Sequence, residues 1–235
     1  MKNVKSIVLI IYLLTVFSTG HSQITDSIID YRDGRIYKTV KIGDQWWMAG
    51  NLAVEKISPV DGLALITDNE EWIKLTTPGY SWYNNDKETY KDNYGALYNW
   101  YAVNTDSLCP DGWHVPTDNE WKQLELTLGL NQGKTDIKGI RGKNEGGKLK
   151  GTGINYWNNP NIGATNESGF NAIPEGHRNW ENGGFIDIGL FGTWWSSTEA
   201  DSSYAWRRTL YYNDDKIRRF TSHKRDGFSV RCIKD

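Results

Sequence analysis

Two cysteines, Cys109 and Cys232, are the residues of this sequence whose type most directly suggests chemistry. A cysteine beside a histidine can act as a nucleophile and its base, and His114 follows Cys109 closely in the stretch "LCPDGWHVPTDNEWKQL". The alternative is a disulfide, with a packed or solvated histidine in the neighbouring loop. The disulfide is favoured if the chain is exported, because an oxidising compartment joins an even pair of cysteines.

The N-terminus predicts export. Lys2 and Lys5 precede a mostly apolar run over residues 6–17. The small residues Gly20 and Ser22 follow, at positions −3 and −1 of a predicted signal-peptidase cleavage site before Gln23. The run is too short to cross a bilayer comfortably, which takes about 20 residues. We therefore predict a signal peptide over residues 1–22 and an exported mature chain, secreted, periplasmic or at the cell surface, without a membrane span. A retained membrane anchor is the alternative.

Metal and nucleic-acid sites have weak support. The chain has four histidines and two cysteines without the spacing of a zinc site. Calcium prefers oxygen ligands, which residues 84–93 and 155–167 contain, but neither stretch matches an EF-hand or a calcium-dependent lectin motif. Polar turns are the favoured interpretation there, and calcium is the alternative. A net charge of −2 offers no concentrated basic face for nucleic acid.

Aromatic residues are unusually frequent, with 12 tryptophans and 13 tyrosines. Such side chains fill cores, and they also line carbohydrate and protein interfaces. Several lie in loop-like sequence, where binding residues concentrate. Adjacent strand residues face opposite sides, so at most one of Trp194 and Trp195 is expected in the core and the other at the surface. We predict a binding set made of Trp82, Tyr83, Trp157, Trp180, Trp194 and Trp195.

Local patterns indicate the elements that position these residues. Residues 33–52 predict a β-hairpin with a Gly-Asp turn at 43–44. Residues 94–104 favour a helix, because their large apolar side chains recur at helical spacing. The "TDNE" at 117–120 matches a capping box, and the helix that follows is expected to end at Gly129. The stretch around His114 is therefore interpreted as a loop that leads into a helix.

The second half of the chain changes character. Residues 131–169 are rich in glycine and asparagine and predict a long irregular loop, attached to the core by Ile140, Leu149, Ile154, Tyr156 and Trp157. Four later stretches predict the strands of an antiparallel meander: 192–200, 203–212, 216–222 and 227–235. The basic residues of these strands are expected on a solvated sheet face: Arg207, Arg208, Lys216, Arg218, Arg219, Lys224 and Arg225.

Several motifs together resemble the Fibrobacter succinogenes major paralogous domain: "DGRIYKTVKIGDQWWMAGNL", "YGALYNWYAV", "CPDGWHVPTDNEW", "GATNESGFNAIPEGHRN", "WWSSTEA" and "GFSVRCIKD". The resemblance implies one domain over residues 31–235, after a short leader at 23–30. The family occurs in exported bacterial proteins, and its function is not established. The chain also looks like the C-type-lectin-like fold of formylglycine-generating oxidases. That likeness implies an α+β fold of two helices on short antiparallel sheets with long irregular loops, and paired terminal strands.

The expected function is that of an exported, non-catalytic binding module for a glycan or a surface protein, with no nucleic-acid partner. No cofactor is expected, with calcium as the open alternative. An enzyme related to the formylglycine-generating oxidases is a second hypothesis, but its copper site needs two thiolates close together. This chain has only Cys109 and Cys232 to supply them. A structural component of the cell envelope or of adhesion is the third hypothesis.

Overall fold

The computed structural model describes residues 23–58 and 61–235, so the predicted signal peptide at 1–22 lies outside the described residues. The strands are β1 (Ile24–Asp30), β2 (Arg35–Ile42), β3 (Gln45–Met48), β4 (Ala64–Leu65), β5 (Gly79–Ser81), β6 (Leu97–Tyr98), β7 (Trp113–His114), β8 (Gly139–Arg141), β9 (Glu175–Arg178), β10 (Phe185–Ile188), β11 (Phe191–Glu199), β12 (Tyr204–Tyr211), β13 (Ile217–His223) and β14 (Ile233–Lys234). The helices are α1 (Asn69–Lys74), α2 (Lys87–Tyr94), α3 (Trp100–Val103), α4 (Asp118–Thr127) and α5 (Glu145–Leu149). Short helices and small, mostly antiparallel sheets confirm the α+β class.

The first sheet has the strand order β1-β2-β3-β14-β7. The predicted hairpin is confirmed, with Ile42 paired to Gln45 across the turn. Strand β1 pairs with β2 from Ile24 to Asp30, so nearly all of the predicted leader at 23–30 forms an edge strand of this sheet. Most side chains of β1 are exposed, which is why the sequence carries little apolar alternation there. Strand β14 pairs with β3 and β7 in this sheet, so it is not part of the predicted meander.

A second sheet has the order β11-β12-β13-β8. Its first three strands confirm the meander, and β8 comes from the stretch that was predicted to be irregular. Strand β11 lies between two apolar clusters, one containing Trp194 and the other Trp195. The two side chains do face opposite sides, but they are 1% and 0% exposed. The prediction that one of them reaches the surface is wrong, because both faces of this strand are covered.

Helix α4 begins as predicted. The Thr117 hydroxyl accepts from the Glu120 amide at 3.2 Å, and the Glu120 carboxylate accepts from the Thr117 amide at 2.7 Å. Gly129 follows the C-cap with a φ of 109°, a conformation that glycine adopts without steric cost. Trp121 and Leu124 bury one face of the helix, which packs on β11. The "WHVPTDNEW" stretch thus positions a core helix.

The helix predicted over 94–104 is confirmed only in part. Residues 97–98 form β6, and α3 occupies only Trp100–Val103. Asn99 separates the two, because its side-chain oxygen accepts from the amides of Ala102 at 3.0 Å and Gly79 at 3.1 Å. An asparagine at this position caps a new helix more favourably than it continues one.

The basic residues of the meander do not form one solvated face. Arg208 is 1% exposed, and its Nε donates to Glu125 at 2.5 Å while Nη1 donates to Asp118 at 2.8 Å. Arg219 donates to Asp118 at 2.7 Å, and Arg141 on β8 donates to Glu125. Burial opposes the charge of Asp118, but Arg219 and Arg208 outweigh it and hold the pKa of that carboxyl well below its usual range. This buried ion cluster joins α4 to the second sheet.

Residues 131–169 are only partly attached as predicted. Leu149 and Trp157 are buried, whereas three further apolar side chains stay more than a third exposed: Ile140, Ile154 and Tyr156. A buried lysine supplies much of the attachment instead. The Lys150 Nζ donates to the backbone carbonyls of Tyr211 at 3.1 Å and Asp214 at 2.8 Å, outside this stretch, and to that of Ile162 at 2.7 Å within it. A polar contact of this kind leaves no periodic signal in the sequence.

Candidate functional site

Five of the six predicted binding aromatics lie in the interior. Their exposed fractions are 1% for Trp82, 6% for Tyr83, 2% for Trp157, 1% for Trp194 and 0% for Trp195. Three indole N–H groups also donate to protein acceptors at 2.8–2.9 Å, which is how buried tryptophans satisfy their one polar atom. These five side chains stabilise the core and present no ring to a ligand. Their burial gives no support to the binding role predicted for them, which stays a prediction.

Trp180 is the member of the set that stays partly exposed. Its ring stacks on the His223 imidazole with 4.3 Å between centroids and 12° between planes, and the Arg225 guanidinium lies 5.4 Å from the ring. Its backbone amide donates to the Asp226 carboxylate at 3.1 Å. The tryptophan is thus held in one orientation from both its side chain and its backbone.

Trp180 lies at the edge of a cleft of about 320 Å³, which we call the β9–β13 cleft. One wall is the hairpin of β9 and β10, and the floor is the face of the second sheet that includes Arg207, Thr209, Phe220 and Ser222. Side chains alternate along a strand, so this face excludes Arg208 and Arg219, which point to α4. The volume lies at the lower end of the range for small-molecule sites, about 300–1,000 Å³.

Arg207 is the central charge of the cleft. Its Nε donates to the Ser222 hydroxyl at 2.6 Å, and its Nη1 donates to the Thr209 hydroxyl. The guanidinium carbon lies 5.7 Å from the Phe220 ring centroid and 5.4 Å from that of Phe228. Burial lowers the pKa of Arg207 to about 10, so the group is still a cation at neutral pH.

The acids and the imidazole of the cleft carry less charge than their types suggest. Burial raises the pKa of Asp226 to about 7 and also raises that of Asp187. Burial, together with the charge of Arg207, lowers the pKa of His177 to about 4, so this imidazole is neutral at pH 7. Its Nδ1 lies 3.4 Å from the nearest Asp187 oxygen. Groups with shifted pKa values that converge on one cleft are typical of functional sites.

A second, more open cleft of about 770 Å³ lies between the end of β1 and residues 106–113. Its lining cation, Arg32, and two of its four lining acids are paired within the protein. Arg32 donates to the Asp30 carboxylate at 2.7 Å, and Asp235 bonds His114 at 2.6 Å. Because its described lining residues include no unpaired cation and no fixed aromatic ring with the exposure of Trp180, we place the candidate site in the β9–β13 cleft.

A family model described as the Fibrobacter succinogenes major domain matches residues 40–234. The chain belongs to this family. The resemblance in the sequence is thereby confirmed. Neither a curated protein nor a solved structure matches the chain. The finer likeness to the C-type-lectin-like fold therefore stays a prediction from the motifs.

In this Fibrobacter succinogenes major domain the two cysteines form a disulfide between the loop that joins α3 to β7 and the residue before β14. The described residues contain no free cysteine. Neither a Cys109–His114 nucleophile pair nor a site of two thiolates can form while the sulfurs are joined. The copper site of the oxidase hypothesis needs two thiolates, and the disulfide leaves neither cysteine free to supply one.

His114 has a structural role that the sequence did not reveal. Its Nδ1 lies 2.6 Å from Asp235, and its Nε2 lies 2.8 Å from the same Glu120 that completes the capping box. Burial opposes the imidazolium charge, but the hydrogen bonds to Asp235 and Glu120 outweigh burial and raise the pKa of His114. His114 therefore joins Glu120 at the start of α4 to Asp235.

We expect a His114→Gln change to cost about 0.5–1 kcal/mol at pH 5.5 and less at pH 8.5. A raised pKa gives stability that is complete below the unfolded-state value of about 6.5 and is lost as the pH rises through the folded-state value. The energy is small because the side chain is 36% exposed and its ion pairs are screened. Urea unfolding at both pH values measures the difference, and an equal cost at both would contradict the role of the charge.

The two stretches considered for calcium differ in structure, because residues 155–167 contain only turns and bends. Residues 84–93 lie in a 3-10 turn, Tyr83–Asn85, and in α2. Over residues 23–58 and 61–235, no group of three or more histidine, cysteine, aspartate and glutamate side chains is arranged to hold a metal ion. No helix in those residues is long and apolar enough to cross a membrane. The prediction of no cofactor, with calcium as the alternative, stays a prediction.

Sequence reasoning missed Arg207 because it treated the late basic residues as one class. The signal was present in "AWRRTLYY", where neighbouring arginines on a strand must face opposite sides. Pairing of Arg207 with Phe220, and of Thr209 with Arg218, is a matter of register between two strands. Register depends on the turn and on both strands, so the alternation alone could not bring these residues together.

Proposed function

We propose that this domain is an exported, non-catalytic binding module and that the β9–β13 cleft takes a glycan. The observation that carries the proposal is the partly exposed Trp180 ring, held flat against His223 at the edge of a polar cleft. Sugar rings have apolar C–H faces and hydroxyl edges. An aromatic wall beside convergent polar groups complements both.

Export is supported by the disulfide, since such bonds persist in oxidising compartments and are rare in the cytosol. A binding role is supported by the rigidity of the cleft. The hairpin wall is attached through Arg178, which is 0% exposed and lies between the Trp72 and Phe185 rings at 4.4 Å and 4.9 Å. Its guanidinium donates to the backbone of residues 66–68, among them the Asp68 carbonyl at 3.1 Å. A wall fixed in this way loses little entropy when a ligand binds.

The test is a glycan array with purified residues 23–235, run with calcium and with EDTA. We expect a bound glycan whose affinity falls by about tenfold or more in Trp180→Ala, because stacking on one aromatic ring contributes on the order of 1.4 kcal/mol. Survival of binding in EDTA would show that the glycan binds without calcium. Loss in EDTA would add calcium to the site.

The matched control is Trp206→Ala. Trp206 is also partly exposed and also stacks on a cation, with the Arg219 guanidinium 3.4 Å from the ring, but it lies on the other face of β12. Its loss is expected to leave glycan affinity within about twofold of the wild type, as for a residue outside the interface. Equal losses in the two variants, or an array without binding, would contradict the proposal. If no glycan binds, a surface protein becomes the candidate ligand.

A further inference from the structure

The arginines of β12 and β13 differ in how their charges are neutralised. Arg208 and Arg219 are paired with Asp118, and Arg208 also with Glu125. Arg218 donates to both oxygens of Asp214, one of them at 3.0 Å. Arg207 has no carboxylate oxygen within 4.0 Å among the described residues. Its partners are two neutral hydroxyls.

An unpaired guanidinium in a protein cleft is costly, because partial burial removes water and no anion replaces it. Two acids that line the cleft, Asp226 and Asp187, form no ion pair with Arg207. The Asp226 carboxylate attracts Arg207 from a distance, but its Oδ1 accepts from the Trp180 amide at 3.1 Å. Asp187 lies 3.4 Å from His177. The cleft therefore retains a positive charge that an incoming ligand can neutralise.

The N–H groups of Arg207 that make no hydrogen bond within the protein limit the shape of the ligand group that can bind there. The Phe220 and Phe228 rings pack near the guanidinium, and two hydroxyls occupy Nε and one position on Nη1. Its Nη2 makes no hydrogen bond with a described residue. What remains are both N–H groups of Nη2 and one N–H group of Nη1. A planar carboxylate approaching these groups can accept two parallel hydrogen bonds.

We propose that the ligand of the β9–β13 cleft is an acidic saccharide whose carboxylate binds these N–H groups of Arg207 while a sugar ring packs on Trp180. This inference rests on the proposed glycan-binding function and adds the chemical class of the glycan. Arg207 is a binding residue in this arrangement. Arg218, already neutralised by Asp214, supplies no direct contact.

The test compares acidic oligosaccharides with their own methyl esters. The probes are oligogalacturonate, a glucuronate-containing hyaluronan oligosaccharide and sialyllactose, each as free acid and as carboxyl methyl ester. We expect at least one acid to bind about tenfold or more tightly than its ester, as a charge-assisted bidentate pair predicts. This comparison uses the wild-type chain alone, so it holds even if a variant fails to fold.

Two variants separate direct contact from general attraction. Arg207→Lys keeps the charge but loses the planar fork, and we expect it to weaken acid binding by about tenfold. Arg218→Lys makes the same change in the same cleft at a paired residue and is expected to stay within about threefold of the wild type. Equal losses in both variants would overturn the direct role of Arg207. Thermal melting of each variant shows whether it is folded.

The outcomes distinguish this inference from the proposed function. Equal affinity for acids and esters would overturn the inference and leave glycan binding in place. Binding of no oligosaccharide would overturn glycan binding, and the carboxylate contact is then tested with free galacturonate, glucuronate and N-acetylneuraminate. A chemical-shift change of the Arg207 Nε–H signal in NMR would support the contact. An unchanged signal with all three acids would overturn it.

Discussion

Replacing Glu125 with glutamine is expected to lower the free energy of unfolding by about 3–5 kcal/mol. Glu125 is 0% exposed and accepts from the guanidinium groups of Arg208 and Arg141. The amide keeps the size of the side chain but removes the charge, so two buried cations lose their shared anion. Removal of one partner from a buried ion cluster costs more than the cluster contributes as a whole, since the remaining charges stay desolvated.

Urea unfolding of residues 23–235 at pH 7, followed by tryptophan fluorescence, measures this effect. The matched control is Glu70→Gln in α1, which removes an exposed pair with Lys74 at 3.3 Å. That change is expected to cost no more than about 0.5 kcal/mol, because exposed pairs of this spacing are screened. If the two substitutions cost the same, the ion cluster does not hold α4 against the second sheet.

Loss of the disulfide is expected to have a comparable effect. The bond joins residues with a sequence separation of 123, and the chain-entropy treatment gives roughly 5 kcal/mol for a loop of that size as an upper figure. Removal of a native disulfide commonly costs about 2–5 kcal/mol. We expect the Cys109→Ala, Cys232→Ala double variant to unfold at a clearly lower urea concentration than the oxidised wild type.

Reductant provides the control for this experiment. It should lower the urea midpoint of the wild type towards that of the double variant and leave the variant unchanged. A wild type whose midpoint does not respond, in a sample where thiol titration shows complete reduction, would mean that the bond adds nothing to stability. Cys232 is 0% exposed, so reduction is best carried out in the unfolded state before refolding.

The features that the sequence predicted well are local or chemically specific. The capping box at Thr117 and Glu120 involves residues three positions apart, and the hairpin at 43–44 closes through adjacent strands. Their hydrogen bonds follow from short spacing and turn chemistry, which the order of residues contains directly. The Cys109–Cys232 pair was also predictable, because only two cysteines were present to join.

Tertiary structure decided which side chains are buried. The alternation along β11 correctly puts Trp194 and Trp195 on opposite sides, but it carries no information about the second apolar cluster that covers the other face. Likewise, Arg207 faces the β9–β13 cleft, whereas its neighbour Arg208 faces the buried carboxylates of Asp118 and Glu125. The sequence by itself determined the family, the α+β class, the start of α4 and the disulfide. Burial and ion pairing depend on segments far apart in the chain, so only the packed structure placed the candidate site at Arg207 and Trp180.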